Sequence, residues 1–415
     1  MIDFIFRKII HKLPGIIIKR IPKPSPRIIA GAGARRGVGA LCKDCGASNV
    51  LIVTDKTLYG LGSLDSITAS LENEEIPYHI FHNITGEPTS KVIEEGRAEA
   101  TKHNIDCIVA IGGGSVMDSC KMIAAGMRLK RLKGRLLLQK VLFVPGKTVP
   151  IIALPSTAGT GAEVTVGAIV TSSNGKKKHA TVIVGLNVSV VVLDCELSMT
   201  VPKMPSLYCG IDALSHGIEG TLTDMKVDEA TTRSSLDCIK LVFENLPHIA
   251  SLPEKSQEPQ DLIEVRQSLC QAALLGGYAI NNQLAGYVHA FAHSIGSLYK
   301  LPHGQAIAIC LLPVLRYQKK QCTKRYAQIA RWCWENNGKT DTDTTYSDDN
   351  LAAEKFLSEI ERLLLICDIQ EGCDSLCDED FPTLETMILN DAINYVPPVV
   401  FKRTDVRNIL NAIKR

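Results

Sequence analysis

Asp212 and His216 stand four apart in the run IDALSHGIEG, and His289, His293 and His303 follow in GYVHAFAHSIGSLYKLPHGQA. Positions four apart leave the same face of a helix, so each pair can converge on one point. Imidazole nitrogens and a carboxylate oxygen suit a divalent transition metal such as iron or zinc. A metal held by side chains, with room left for a substrate oxygen, acts as a Lewis acid. A lone histidine in an apolar stretch is usually a core or surface residue. Here three of the ten histidines fall within fifteen residues, among Gly and Ala. Asp212, His216, His289 and His303 therefore read as one metal site.

A second chemistry lies upstream. CIVAIGGGSVMDSCKMIAAG, residues 107–126, reads as a buried strand, a glycine turn and a helix. Cys107 to Ile111 is an apolar run bounded by glycine, as a buried parallel strand would be. Gly112, Gly113 and Gly114 let backbone approach a phosphate closely. Ser115 and Asp118 have the S-x-x-D spacing of a helix N-terminal cap, and amides at such a helix start favour a diphosphate. The run does not match G-x-G-x-x-G, and a bare glycine triplet also serves ordinary tight turns. PIIALPSTAGTGAEVT, residues 150–165, repeats the strand-into-loop logic with the hydroxyls of Ser156, Thr157 and Thr160. NVLIVTD, residues 49–55, ends a strand in Asp55. A carboxylate there can bond a ribose hydroxyl and repel a 2′-phosphate, favouring NAD over NADP, or it can simply form a turn.

The elements that must position these residues follow from the pattern. Strands are expected near 50–54, 78–82, 107–111, 150–154, 166–171 and 190–194, alternating with helices as in βαβ units. From about 196 the pattern turns helical. The expected organisation is a basic segment and linker over 1–26, an α/β nucleotide-binding domain over 27–195 and an all-helical metal domain over 196–415.

GGGSVMDSCK, LPSTAGTGAEVT, GIDALSHGIEG and HAFAHSIGSLYKLPHG, in that order, resemble the iron-containing (group III) alcohol dehydrogenase family from about Pro24 to the C-terminus. The resemblance implies a dehydroquinate synthase-like fold, an α/β N-terminal nucleotide-binding domain plus an all-α C-terminal metal-binding domain. It implies reversible hydride transfer between an alcohol and NAD, with Fe(II) or zinc on Asp212, His216, His289 and His303. His293 matches a histidine near the nicotinamide that is not a ligand; it would orient the cofactor or relay a proton. Asp55, Gly113, Gly114, Ser115, Asp118, Ser156, Thr157, Thr160 and Lys178 match cofactor-side positions. The chain departs from the family pattern at Val188-Ser189, at Cys195 and over HATVIVGLNV (179–188), which bears on the substrate pocket. Two rival readings are a hydroxyacid–oxoacid transhydrogenase with tightly held NAD, and an inactive membrane-surface binding protein of the same fold.

At 415 residues the chain can form two sizeable cores. Its 22% charged content and net charge of +2 give no mandate for nucleic acid. Fourteen scattered cysteines match no disulfide framework and read as reduced, small apolar residues. The expected setting is cytoplasmic, with a small alcohol or aldehyde as substrate and a homo-oligomer, a dimer, as assembly. The N-terminus MIDFIFRKIIHKLPGIIIKRIPKPSPR carries Ile2, Ile5, Phe6, Ile9 and Leu13 at helical spacing, with seven basic residues against one Asp. Residues 1–21 therefore read as an interfacial amphipathic helix, peripheral to the inner face of a membrane, or as a helix lying on the protein's own surface.

Overall fold

A computed structural model describes residues 11–129, 140–172, 178–253, 262–335 and 346–414. The basic stretch 130–139 and most of the polar run 340–350 lie outside them, as do Ile2, Ile5, Phe6 and Ile9. The chain divides into two compact units, one of residues 21–201 and 260–277, the other of 1–20, 202–259 and 278–415. Among the described residues, 262–277 group with the sheet unit and 11–20 with the helical unit.

Helix α1 (Lys12–Arg20) opens the described chain. The sheet unit then runs β1 (Arg27–Ala30), α2 (Val38–Asp44), β2 (Val50–Asp55), α3 (Lys56–Gly60), α4 (Asp65–Asn73), β3 (Tyr78–Ile84) and α5 (Ser90–Lys102). It continues with β4 (Cys107–Gly112), α6 (Gly114–Arg128), β5 (Val141–Phe143), β6 (Ile151–Pro155), β7 (Gly167–Thr171), β8 (Lys178–Val184), β9 (Val188–Leu193) and α7 (Cys195–Ser198). Six strands form a parallel sheet in the order β1-β9-β6-β4-β2-β3. β4 and β6 are buried throughout and β2 up to Asp55, as parallel strands covered on both faces must be. Because β2, β4 and β6 are neighbours, Asp55, Gly112 and Pro155 end three adjacent strands. The carboxyl ends of such strands are where α/β sheets bind ligands.

The expected strand at 166–171 forms, but outside the main sheet. It is β7, paired antiparallel with β8, which itself pairs parallel with β5. The uncommon segment HATVIVGLNV is therefore mostly a strand of this small second sheet. Sequence reading missed β1, β5 and β8: the first two have only four and three residues, too few to show a period.

The helical unit contains α8 (Lys203–Leu222), α9 (Glu229–Ala250), the end of α10 (Ile263–Gln283), α11 (Tyr287–Tyr299), α12 (His303–Ala330), α13 (Asp349–Ile366), α14 (Phe381–Ala392) and α15 (Arg403–Ile413). α8 lies against α9 and α12, and α11 against α12 and α14. α8 is buried from Gly210 to Leu222, so its polar side chains there must satisfy one another or a ligand.

Candidate metal centre and nucleotide-binding turn

Asp212, His216 and Glu219 fall on one face of α8, and all three are buried. α11 supplies His289 and His293. After Tyr299 the chain reverses: Lys300 takes a left-handed φ of 56° and Leu301 N–H donates to Gly296 O at 3.1 Å. Pro302 then caps α12, whose first residue is His303. Gly304 lets this turn press on α8, for a Cβ there would stand 2.7 Å from the Tyr208 carbonyl oxygen.

The result is a ring of imidazoles around one oxygen. Asp212 Oδ1 lies 3.6 Å from His216 Nε2, 3.7 Å from His289 Nε2 and 3.4 Å from His303 Nε2. Two ligands of one tetrahedral ion, with bonds of about 2.0–2.1 Å, stand about 3.3–3.4 Å apart. Asp212, His289 and His303 offer donor atoms all within 4.8 Å of one another. His216 joins through Asp212 and through its ring, stacked on His289 at 4.9 Å. Among the described residues, Asp212 Oδ1 and His289 Nε2 are buried without a hydrogen-bond partner. Two orphaned buried atoms facing each other fit a cation.

The electrostatics fit the same group. Burial disfavours ionised Asp212, yet His216, His303 and His289 outweigh it and hold its carboxyl well below the usual range. Burial lowers His216 to about 4 and His289 to about 3, partly offset in each by Asp212. At neutral pH the carboxylate is charged and these two imidazoles are neutral, the forms that bind metal. The unfolded chain binds protons on both histidines below about pH 6.5, whereas the folded chain does not until about 4. In metal-free protein these two histidines should therefore cost stability as pH falls from 6.5 toward 4, by up to about 1.4 kcal/mol per pH unit each, against the opposite pull of Glu163 and Glu219, which burial raises to about 7. Histidine resonances of metal-free protein followed from pH 7 to about pH 5 check this: His216 and His289 should stay neutral, and protonation of either at pH 5 would contradict it.

The contacts made by Glu219 and Asp391 escaped the sequence reading. His289 Nδ1 is 2.5 Å from Glu219 Oε2, and Glu219 Oε1 accepts from Val288 N–H at 2.6 Å. Burial pushes the Glu219 carboxyl up to about 7, against the pull of the Val288 and Gly286 amides. His293 pairs with a different carboxylate: its Nδ1 is 2.9 Å from Asp391 Oδ2, which also accepts from Tyr395 O–H at 3.1 Å. The His293 ring stacks on His303 at 5.2 Å.

In the sheet unit the two glycine-bearing loops meet. A Cβ on Gly113 would stand 3.3 Å from the Thr157 side chain, and one on Gly114 3.0 Å from Thr160. Ser156 N–H donates to Gly112 O at 3.0 Å. The N-cap of α6 is Gly113, with no side chain capping it. This corrects the reading of Ser115 as the cap: the helix starts earlier and Ser115 lies in its first turn. Asp118 faces β7, accepting from Ile169 N–H at 2.8 Å and Lys121 Nζ at 3.0 Å. Buried Lys121 also donates to Thr165 Oγ1 and Gly167 O, fastening the 156–165 loop to α6. Asp55 Oδ1 caps α3, accepting from Thr57 and Leu58 N–H. Lys178 opens β8, its backbone opposite Thr171.

Residues 24–195 match the family described as iron-containing alcohol dehydrogenase, and 206–414 match that family's C-terminal part. The NAD-dependent methanol dehydrogenase of Bacillus methanolicus is 29% identical over 391 residues, covering 93% of this chain and 97% of that protein. The 1,3-propanediol dehydrogenase of Klebsiella pneumoniae is 30% identical over 373 residues, covering 89% and 92%. A solved 1,3-propanediol oxidoreductase superposes with a TM-score of 0.84 at 28% identity, over 94% of this chain and 99% of that one. An alcohol dehydrogenase from Oenococcus oeni superposes with a TM-score of 0.83 at 26% identity, over 95% and 99%. With both units matched in order, the chain belongs to the iron-containing alcohol dehydrogenase family and is an oxidoreductase.

Proposed function

We propose that this enzyme is an NAD-dependent dehydrogenase of small primary alcohols, interconverting alcohol and aldehyde. The observation that carries it is the ring of three Nε2 atoms within 3.4–3.7 Å of Asp212 Oδ1. Asp212, His216, His289 and His303 would hold iron(II), and zinc suits the same donors. When bound, the metal polarises the alcohol oxygen, and NAD accepts the hydride. The uncapped start of α6 at Gly113–Ser115 would bind the diphosphate, with Ser156, Thr157 and Thr160 beside it. Asp118 and Lys178 keep the places that the resemblance gives them, with Asp118 acting through β7. The Asp391 contact leaves Nε2 as the His293 nitrogen able to move a proton. Relatives named for methanol and 1,3-propanediol support a short-chain alcohol. A panel of primary alcohols, diols and ketones with NAD, followed by NADH absorbance, tests the reading; turnover confined to secondary alcohols or hydroxy acids would reject it.

Preference for NAD should run through Asp55. Asp55→Asn keeps an oxygen to cap α3 and removes the charge that repels a 2′-phosphate. The ratio of kcat/KM for NAD over NADP should fall about tenfold, roughly 1.4 kcal/mol. A wild type that prefers NADP would refute the role.

No helix among the described residues is long and apolar enough to cross a membrane. On α1, Gly15 and Ile18 are buried, whereas Leu13, Ile16 and Ile17 are about half exposed beside exposed Lys12, Lys19 and Arg20. The helix thus covers its own unit with one face and offers an apolar, basic face outward. That face supports peripheral contact with an anionic membrane. Full-length protein should sediment with anionic vesicles at low salt and release at high salt. Ile16→Ser with Ile17→Ser should abolish binding and spare activity; retention by the double variant would contradict the contact.

A further inference from the structure

We propose that Glu219 is a positioning residue that sets the tautomer of His289 and so builds the metal site. The inference rests on the metal reading above. Glu219 lies seven residues after Asp212 on α8, on the ligand-bearing face, and is buried. One oxygen, Oε2, meets His289 Nδ1; the other, Oε1, accepts from Val288 N–H. The first residue before α11 is Gly286, which has no capping side chain, and its Cβ would fall 2.8 Å from Glu219 Oε1. The carboxylate of one helix therefore caps the start of the other and grips the ligand's far nitrogen.

The chemistry follows from the donor inventory. A neutral imidazole carries one N–H and one lone pair. Oε1 is already taken by the Val288 amide, and with Oε2 accepting the Nδ1–H of His289 the lone pair falls on Nε2. Nε2 is the atom that faces Asp212 Oδ1 and has no hydrogen-bond partner. Glu219 thus raises the basicity of the ligand atom and fixes its direction, without touching the metal position itself.

Glutamine at 219 keeps the shape but replaces one acceptor by an N–H₂ donor, so it cannot accept from both Val288 N–H and His289 Nδ1–H. Zinc(II) affinity, measured by competition with a chromogenic chelator, should fall 10- to 100-fold in Glu219→Gln, with the metal-free melting temperature near wild type. In a His289→Ala background the same change should have no further effect, because its action passes through His289. Nitrogen-15 histidine spectra of metal-free wild type, recorded well above pH 7 so that Glu219 carries no proton, should show His289 as the Nδ1–H tautomer. Glu219→Gln affinity within threefold of wild type, an undiminished effect in the His289→Ala background, or an Nε2–H tautomer would each overturn the proposal. A wild type that takes up no zinc or iron would instead overturn the metal reading on which it stands.

Discussion

His303→Ala should lose metal and turnover together. His303 opens α12 with its side chain 40% exposed, so its removal costs little packing and the fold should persist. What disappears is the nitrogen nearest Asp212 Oδ1, at 3.4 Å. The remaining donors cannot close a tetrahedral shell, and affinity should drop at least about a hundredfold, roughly 2.7 kcal/mol. Elemental analysis after dialysis against a weak chelator should find the variant empty and the wild type near one ion per chain. Activity should fall in step with content; a full complement in His303→Ala would remove it from the ligand set.

Gly113→Asp should have the next largest effect, and in the other unit. Gly113 is the N-cap of α6, at φ −78° and ψ −170°, a conformation that any residue adopts. Aspartate is among the best N-caps, which offsets the 3.3 Å approach of its Cβ to the Thr157 side chain, so α6 should keep about its present stability. Its carboxylate would bond the amides proposed for the diphosphate and repel the incoming charge. KM for NAD should rise about a hundredfold, roughly 2.7 kcal/mol, while metal content and melting temperature hold. Unchanged KM would move the diphosphate away from this turn.

Much of this was legible because two kinds of signal survive in a sequence. Continuous apolar runs ending in Gly, Ser or Asp marked β2, β4 and β6, since parallel strands covered on both faces are filled almost wholly by apolar residues. Histidine spacing marked the helices that carry the ligands. What stayed hidden depends on tertiary contact. Glu219 in a helix reads as solvated until both of its neighbours are known to be buried. Asp391 meets His293 across 98 positions, with no local trace. Lys121 reads as a surface cation, yet its amine is buried against Gly167 O and Thr165. The supposed Ser115 cap failed for a backbone reason: glycine at 113 and 114 starts the helix before the hydroxyl can act.

On the proposed reading, alcohol oxidation depends on a metal held by Asp212, His216, His289 and His303. The most direct measurement strips the enzyme with a chelator under anaerobic conditions, then titrates iron(II) back while following NADH from a short primary alcohol. Activity should vanish on stripping, return linearly and saturate at one ion per chain. Undiminished turnover in metal-free protein would contradict that dependence.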